Sequence, residues 1–159
     1  MIRHVRGMQP TDLEAVYAIE RVAHRAPWSR DILSDCMLVG YDCRILESME
    51  NNAPTLIAYI ISRYQDPMTC HVLNICVAPL FQGHGHGAFL LEHVMHAPQQ
   101  STTNAFVLEV RPSNLVALQL YQKLGFQQVA VKRGYYREDP ILEDAIVLRR
   151  EFSSGSNSA

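Results

Sequence analysis

The middle of the chain constrains the fold most, because a helix there connects two strands. The segments Thr69–Val77 and Asn104–Val110 are rich in β-branched and apolar residues, which is typical of strands. Between them, Ala88–His96 has apolar residues at helical spacing. A helical crossover of this kind places its two strands parallel in one sheet. These segments therefore predict a parallel pair in the middle of the chain.

The segments on either side predict antiparallel strands and two N-terminal helices. Short turns separate the strand-like runs before the crossover, the first of them at Asn51-Asn52, and this favours an antiparallel meander. Thr11 and Glu14 are spaced as a capping box, with Leu13, Val16, Ile19 and Ala23 on one helical face. The predicted elements are the helices Thr11–His24, Ser29–Leu38, Ala88–His96 and Asn114–Leu124, the last closed by Gly125, and the strands Tyr41–Glu47, Thr55–Tyr64, Thr69–Val77, Asn104–Val110, Phe126–Lys132 and Asp144–Arg149.

The composition indicates a globular protein of the cytoplasm. A length of 159 residues with 48% hydrophobic residues suits one domain, expected over residues 1–150, and the low-complexity end 151–159 is expected to be a disordered tail. The net charge of −2 gives no footprint for a nucleic-acid backbone, and no apolar run suggests a membrane span or a signal peptide. Four cysteines without a C-x-x-C pair favour reduced core thiols: Cys36, Cys43, Cys70 and Cys76.

A glycine-rich loop lies between the central strand and its helix, with the sequence Gln82-Gly83-His84-Gly85-His86-Gly87. Alternate glycines remove the Cβ atoms that would keep a ligand from the backbone, and the following helix begins with unpaired N–H groups. Such a loop can bind phosphate or pyrophosphate, although a flexible turn explains the glycines equally well. A Walker loop is excluded because no Gly-Lys-Ser/Thr is present, and Leu90 replaces the third glycine of a dinucleotide motif.

The loop and its flanks, VAPLFQGHGHGAFLLEHV, resemble motif A of the GNAT acetyltransferases, Q/R-x-x-G-x-G/A preceded by V-x-P. Gln82, Gly85 and Gly87 match the motif, and Gly83 stands where the family often has arginine. The resemblance implies that this loop binds the pyrophosphate of acetyl-CoA, with His84 or His86 partly replacing the missing cation. The residues so implicated are Gln82, Gly83, His84, Gly85, His86, Gly87 and Ala88.

The histidines in and after the loop also permit a metal interpretation. His84 and His86 lie two apart, and His93 and His96 lie three apart on the next helix. Zinc ligands often come in such pairs, but no cysteine or carboxylate completes a set nearby. Exposed polar histidines are the favoured interpretation, so no metal is expected.

Two polar residues downstream are candidates for catalysis. Glu109 lies inside an apolar strand, where burial is expected to raise its pKa into the range of a general base. A structural salt bridge with Arg111 explains it equally well. Tyr121, with Leu118 and Leu124 on its helix, is by pattern a core aromatic, but its hydroxyl could also protonate a leaving thiolate.

These two residues lie in LEVRPSNLVALQLYQKLGF, which closely resembles LEVR-x-SN-x-x-A-x-x-LY-x-x-LGF of the RimI-type acetyltransferases. Those enzymes acetylate the N-terminal alanine of a small-subunit ribosomal protein. The segments TDLEAVYAIERVAHRAPWS, RGYY and EDAIVL extend the resemblance over most of Thr11–Arg150. By position, it implies that Glu109 is the general base, Tyr121 the general acid and Asn114 a contact of the CoA arm. The backbone of Ile75, Cys76 and Val77 would hold the acetyl and pantetheine groups.

The resemblance as a whole implies an α/β GNAT fold with a mixed, mostly antiparallel sheet, helices on both faces and a parallel pair splayed around acetyl-CoA. The implied reaction is direct acetyl transfer from acetyl-CoA to a protein N-terminal α-amine, with a ribosomal protein as partner and with neither nucleic acid nor membrane bound. Cys76 is expected to be a buried thiol that takes no part as a nucleophile. Acetylation of lysine side chains or small amines remains an alternative, as does a non-catalytic acyl-CoA sensor.

Overall fold

The computed structural model describes residues 1–50, 52–97, 103–138 and 141–152, and the strands within these ranges form one sheet. The strand order is β1-β2-β3-β4-β5-β7-β6. Of the predicted tail 151–159, residues 153–159 lie outside the described residues, as does Asn51 of the predicted turn. The tail prediction is wrong for Glu151, which ends a strand, and for Phe152, whose N–H donates to the Asn104 carbonyl at 2.7 Å. In chain order, the elements are β1 (Arg3–Gly7), α1 (Leu13–Ala23), α2 (Arg30–Leu38), β2 (Asp42–Glu50), β3 (Ala53–Asp66), β4 (Thr69–Val77), α3 (His86–His96), β5 (Ala105–Val110), α4 (Leu115–Lys123), β6 (Gln127–Glu138) and β7 (Ile141–Glu151).

Among the strands described, β1 was not predicted from the sequence pattern. Its sequence RHVRG has little apolar content, but it pairs antiparallel with β2 along its whole length. Arg6 helps to stabilise this strand. The Arg6 guanidinium donates two hydrogen bonds of 2.8 and 2.9 Å to Asp12 and one of 3.1 Å to Glu47. An edge strand can thus be held by its ladder and by ion pairs instead of an apolar face.

The start of the first helix corrects the predicted capping box. The chain forms a 3-10 turn over Pro10–Asp12 before α1 begins, so Thr11 lies inside a turn and does not cap a helix. The reciprocal bonds are instead made by Gln9 and Asp12, whose carboxylate accepts from the Gln9 N–H at 2.7 Å. The second helix begins as predicted, since the Ser29 hydroxyl accepts from the Ile32 N–H at 3.1 Å.

The chain divides into two compact units, Met1–Arg63 with Leu73–His96 and Tyr64–Val72 with Ala97–Ala159. In the first unit, α1 and α2 pack on strands β2 and β3. The predicted apolar face of α1 is confirmed, because Val16 is fully buried and Leu13, Ile19 and Ala23 pack against its cluster. The buried members of this core are Val16, Leu33, Cys36, Cys43, Ile45, Tyr59, Ile61 and Cys76.

The second unit contains the parallel pairing that the crossover predicts. Thr69, Cys70 and His71 of β4 pair in parallel with Ala105, Phe106 and Val107 of β5. On its other side β5 pairs antiparallel with β7, and β7 with β6. The β6–β7 ladder shifts register between Lys132 and Tyr136, where Gly134 has φ +60°. The mixed sheet and its parallel pair are thus confirmed.

The helices of the described part of the chain are short. None of them is long and apolar enough to cross a lipid bilayer.

Candidate active site

The predicted site residues fall into two groups, one in each unit. The glycine loop and the end of β4 belong to the first unit, and Glu109, Asn114 and Tyr121 belong to the second. In the loop, Gly83 and Gly85 adopt φ angles of +82° and +81°, which residues with a Cβ atom rarely adopt. The first intrahelical bond of α3 joins the Phe89 N–H to the Gly85 carbonyl at 3.0 Å. Helix geometry leaves the preceding amides of the first turn available to an anion.

His86 corrects the expectation that the loop histidines are exposed. His84, His93 and His96 are exposed, whereas His86 is only 6% exposed and its ring packs edge-on to Phe81 with centroids 6.3 Å apart. Desolvation, with smaller effects from Arg3 and His84, lowers the pKa of His86 below its usual value. His86 is therefore neutral at pH 7 and does not replace the missing arginine charge in the unliganded loop.

The end of β4 carries the three residues implied to hold the acetyl and pantetheine groups. Gln82 folds back from the loop, and its side-chain amide donates to the Val77 carbonyl at 3.0 Å. Ile75 and Val77 are partly buried, and Cys76 is buried. Desolvation, with a small effect from Glu20, raises the pKa of the Cys76 thiol to about 11, although the Tyr59 hydroxyl opposes the rise. The thiol stays protonated at neutral pH, which agrees with the prediction that it is no nucleophile.

Glu109 is bound on both carboxylate oxygens by basic side chains. Its Oε1 lies 2.7 Å from Nε2 of His71 on β4, and its Oε2 lies 3.2 Å from Nζ of Lys132 on β6. Side-chain exposures are 11% for Glu109 and 12% for His71, but 48% for Lys132. Arg111 was suggested as the partner of Glu109, but it binds Glu143 instead, with 3.4 Å between Nη1 of Arg111 and Oε1 of Glu143.

The pKa of Glu109 corrects a second expectation. Burial does raise it, as predicted, but the hydrogen bonds and charges of His71 and Lys132 outweigh burial and lower the pKa of Glu109 below its ordinary value. The carboxylate is therefore fully ionised at pH 7. It is well placed to attract a cationic ammonium group, but it holds a proton poorly.

Tyr121 lies on α4 and is 8% exposed, with its ring 5.9 Å from that of Phe126. A second tyrosine, Tyr136 on β6, is linked to both predicted catalytic residues. Burial raises the pKa of Tyr136 to about 12, with Tyr135 next in effect, and the charges of Glu109 and Tyr121 add to the rise against the opposing charge of Arg111. The Arg111 guanidinium lies 4.0 Å from the centre of the Tyr136 ring. Glu109 and Tyr121 thus both contribute to the raised pKa of Tyr136.

Asn114 caps α4, because its side-chain oxygen accepts from the Ala117 N–H at 3.1 Å. This is its structural role, and it leaves the two amide hydrogens of the side chain as donors toward a ligand. Over the described residues, no three His, Cys, Asp or Glu side chains are grouped so that they could hold a metal ion.

Comparison with known proteins places this site in a family. The profile of the Acetyltransferase (GNAT) family matches residues 13–126, which include both groups of site residues. The chain belongs to the GNAT acetyltransferase family. It is thus an acetyltransferase, and the predicted GNAT fold is confirmed.

Two curated relatives share a name that states their substrate. The ribosomal protein bS18-alanine N-acetyltransferase of Escherichia coli strain K12 is 33% identical over 145 residues, covering 91% of this chain and 94% of the relative. The enzyme of the same name from Salmonella typhimurium strain LT2 is 34% identical over 141 residues, covering 89% and 92%. The resemblance to the RimI-type enzymes is confirmed.

Solved structures extend the comparison. The crystal structure of the ribosomal-protein-S18-alanine N-acetyltransferase from Escherichia coli superimposes with a TM-score of 0.83 at 31% identity, covering 96% of this chain and 95% of that one. A GNAT acetyltransferase from Elizabethkingia anophelis, solved with acetyl-CoA bound, gives a TM-score of 0.72 at 22% identity, covering 94% and 98%. This second likeness shows a shared fold.

Sequence reasoning missed the partners of Glu109. His71, Lys132 and Tyr136 come from β4 and β6, and no local motif connects them with β5. For His71 the sequence did contain one indication of this contact. His71 is a polar, titratable residue inside a predicted strand, and that strand pairs in parallel with the strand of Glu109. Side chains that share one face of neighbouring strands can meet, so this pair was open to inference.

Proposed function

We propose that this enzyme moves the acetyl group of acetyl-CoA onto the N-terminal α-amine of a protein, and that its acceptor is the N-terminal alanine of a small-subunit ribosomal protein. The observation that carries the proposal is the 33% identity, over 91% of the chain, to an alanine N-acetyltransferase of that specificity. Glu109, Asn114 and Tyr121 lie at matching positions of the motif that this type of enzyme carries. No described feature favours a lysine side chain or a small amine as acceptor.

The loop of the first unit supplies the proposed binding site for the acetyl donor. The positive φ angles of Gly83 and Gly85 shape the backbone, and the first turn of α3 offers its amides to the pyrophosphate of acetyl-CoA. The backbone from Ile75 to Val77 would bind the acetyl and pantetheine groups, and a backbone N–H near Val77 would polarise the thioester carbonyl. The amide of Asn114 would donate to the CoA arm.

The proposed chemistry is a direct attack on the thioester. An α-ammonium group has a pKa of about 8, so a modest base can remove the proton that blocks attack near neutral pH. Ionised Glu109 attracts the ammonium group and, as the general base, promotes removal of that proton through a water. The free amine then forms a bond to the carbonyl carbon, and the C–S bond breaks. The CoA thiolate takes the proton of the Tyr121 hydroxyl, and the new amide nitrogen gives up its second proton, which restores that hydroxyl.

A peptide panel tests the acceptor. Release of CoA is measured with acetyl-CoA and short peptides that differ in their first residue, beginning with one that starts Ala-Arg. We expect the highest kcat/KM for N-terminal alanine and no reaction when that amine is blocked beforehand. Equal rates with the N-terminally blocked peptide carrying a lysine would show instead that the side-chain amine is the acceptor.

The donor site has its own test. Gly87→Asp places a carboxylate in the first turn of α3 and is expected to weaken acetyl-CoA binding in calorimetry while the thermal transition is retained. Glu92→Gln, at an exposed position of the same helix, serves as the control and should bind normally. Unchanged affinity in the Gly87 variant would remove the loop from the donor site.

A further inference from the structure

We propose that His71 is a second member of the catalytic base, and that the proton removed from the amine is held by its imidazole while Glu109 orients the ring. Their side chains meet at 2.7 Å from two strands of one parallel ladder, and both are about nine-tenths buried. This inference rests on the proposed acetyl transfer and names the atom that stores the proton.

The first step of the argument is that Glu109 alone is a weak base. Two basic side chains occupy its oxygens and stabilise its ionised form. When the pKa of a base lies below that of the amine, the proton transfer costs about 1.4 kcal/mol for each unit of difference. An imidazole is matched far better to an acceptor that must work near pH 7, because histidine is the side chain that ordinarily titrates there.

The second step concerns the tautomer. A carboxylate oxygen only accepts hydrogen bonds, so a contact of 2.7 Å requires His71 to donate through its Nε2–H. The neutral ring then has its lone pair on Nδ1. This is the arrangement in which a carboxylate fixes the tautomer of a histidine and stabilises the imidazolium ion that forms.

The proton balance follows from this arrangement. One proton leaves the ammonium nitrogen, passes through a water and binds to Nδ1 of His71, which gives an imidazolium facing the Glu109 carboxylate. The amine nitrogen keeps the electron pair that forms the bond to the acetyl carbon. The thiolate takes the proton of the Tyr121 hydroxyl, and the second proton of the nitrogen, lost as the amide forms, restores that hydroxyl. The imidazolium returns its own proton to solvent after the product leaves.

Other ionisable side chains lie close to the pair of His71 and Glu109. His71 on β4 faces Glu109 on β5, and Glu109 also faces Lys132 on β6 at 3.2 Å. The negative charge of Glu109 contributes to the raised pKa of Tyr136 on β6. An apparent ionisation seen in kinetics therefore belongs to this coupled group and not to one side chain.

Kinetics of His71→Gln provide the first test. The glutamine amide can still donate to Glu109 but takes up no proton near neutral pH. We expect the thermal transition and the acetyl-CoA affinity to stay near wild type, kcat to fall by roughly 10²-fold or more, and the rise of kcat with pH near neutrality to disappear. His93→Gln, at an exposed position of α3, is the matched control and should behave as wild type.

A second measurement does not depend on turnover. ¹⁵N NMR of the imidazole nitrogens should show the Nε2–H tautomer of His71 in the wild type and its loss in Glu109→Gln. In His71→Ala, added imidazole should restore part of kcat. A His71→Gln variant with the wild-type rate and pH profile would overturn the inference and leave Glu109 as the only base. A wild type with the expected tautomer but no acetyl transfer would instead refute the proposed function.

Discussion

Glu20 and Glu109, one in each unit, have little exposed surface but differ in their hydrogen-bond partners. In the first unit Glu20 is 1% exposed and accepts from the Tyr59 hydroxyl at 2.5 Å, the Asn74 amide at 2.8 Å and the Trp28 N–H at 2.9 Å. Nε2 of His24 also lies 3.5 Å from Oε1 of Glu20. In the second unit Glu109 binds His71 and Lys132. The three hydrogen bonds to Glu20 thus come from neutral donors, whereas both hydrogen bonds to Glu109 come from basic side chains.

This difference supports the proposal that Glu20 is structural and Glu109 reactive. The donors to Glu20 come from β3, from β4 and from the segment between α1 and α2. One side chain of α1 therefore hydrogen-bonds to three other segments. Neutral donors fix geometry but move no charge at neutral pH. Both partners of Glu109 are basic side chains, which can bind protons. Burial alone therefore did not distinguish the two residues, whereas their partners do.

The largest expected effect is on turnover in Glu109→Gln. The amide keeps the size of the side chain, and the partner that loses its charge pair is the half-exposed Lys132, so stability should remain within about 1 kcal/mol. The rate constant kcat at pH 7 should fall by about 10²–10⁴, the usual contribution of general base catalysis. Part of the loss should return at high pH, where the substrate amine arrives already deprotonated. Paired thermal melts and pH–rate profiles measure both quantities.

Either of two results would break the contrast between the glutamates. A strongly destabilised Glu109→Gln would make Glu109 structural, like Glu20. A stable variant with a normal pH–rate profile would remove Glu109 from the mechanism.

The next effect in size is on stability in Glu20→Ala. Removing the carboxylate leaves buried donors of Tyr59 and Asn74 without their acceptor, at a cost of roughly 1–3 kcal/mol for each such group. We expect a loss of roughly 3–5 kcal/mol in the free energy of unfolding, measured by urea denaturation. Glu14→Ala on the same helix removes only an exposed ion pair with Arg30 and should cost less than about 1 kcal/mol. Equal losses in both variants would show that the buried network adds nothing.

Most of the fold could be predicted from the sequence because local signals agreed with one another. Strand β4 was predicted with its observed bounds, and Ser29 and Asn114 were identified at the starts of α2 and α4. Strand β1 was missed, because its stability comes from pairing with β2 and from the ion pairs of Arg6, which its own sequence does not reveal.

For the candidate site, the sequence assigns proposed roles to single residues but does not predict their contacts. A motif assigns roles to Glu109 and Tyr121, yet it cannot show that two basic groups from other strands bind the carboxylate. The expected rise in the pKa of Glu109 was wrong for this reason, since burial was visible in the pattern and the compensating partners were not. The acceptor role of Glu20 was likewise not predicted, because an isolated glutamate in a helix gives no sign of it.

A smaller effect on turnover is expected in Tyr121→Phe. The change removes only a hydroxyl, and the packing of the ring against Phe126 should survive. We expect the acetyl-CoA affinity to stay unchanged and kcat to fall by roughly 10–100-fold, because the thiolate must then take its proton from water. Tyr136→Phe is the matched control on β6, and a larger loss there would identify Tyr136 as the acid. A wild-type kcat in Tyr121→Phe would leave that tyrosine as a core residue only.

The smallest expected effect concerns stability in acid. Because its pKa is lowered in the folded state, Glu109 stabilises the fold fully at pH values above its unfolded pKa of about 4.3, and this contribution is lost as the pH falls through the folded value. Glu109→Gln has no such ionisation, so the difference in unfolding free energy between wild type and variant should change in favour of the variant below about pH 4. Urea denaturation at pH 7, 5, 4 and 3 measures this difference. Asp12→Asn should show the same trend, because the bond from Arg6 leads the causes that lower the pKa of Asp12. A difference that stays constant down to pH 3 would mean that the partners of Glu109 do not favour its ionised form, and the contrast with Glu20 would then lose its electrostatic basis.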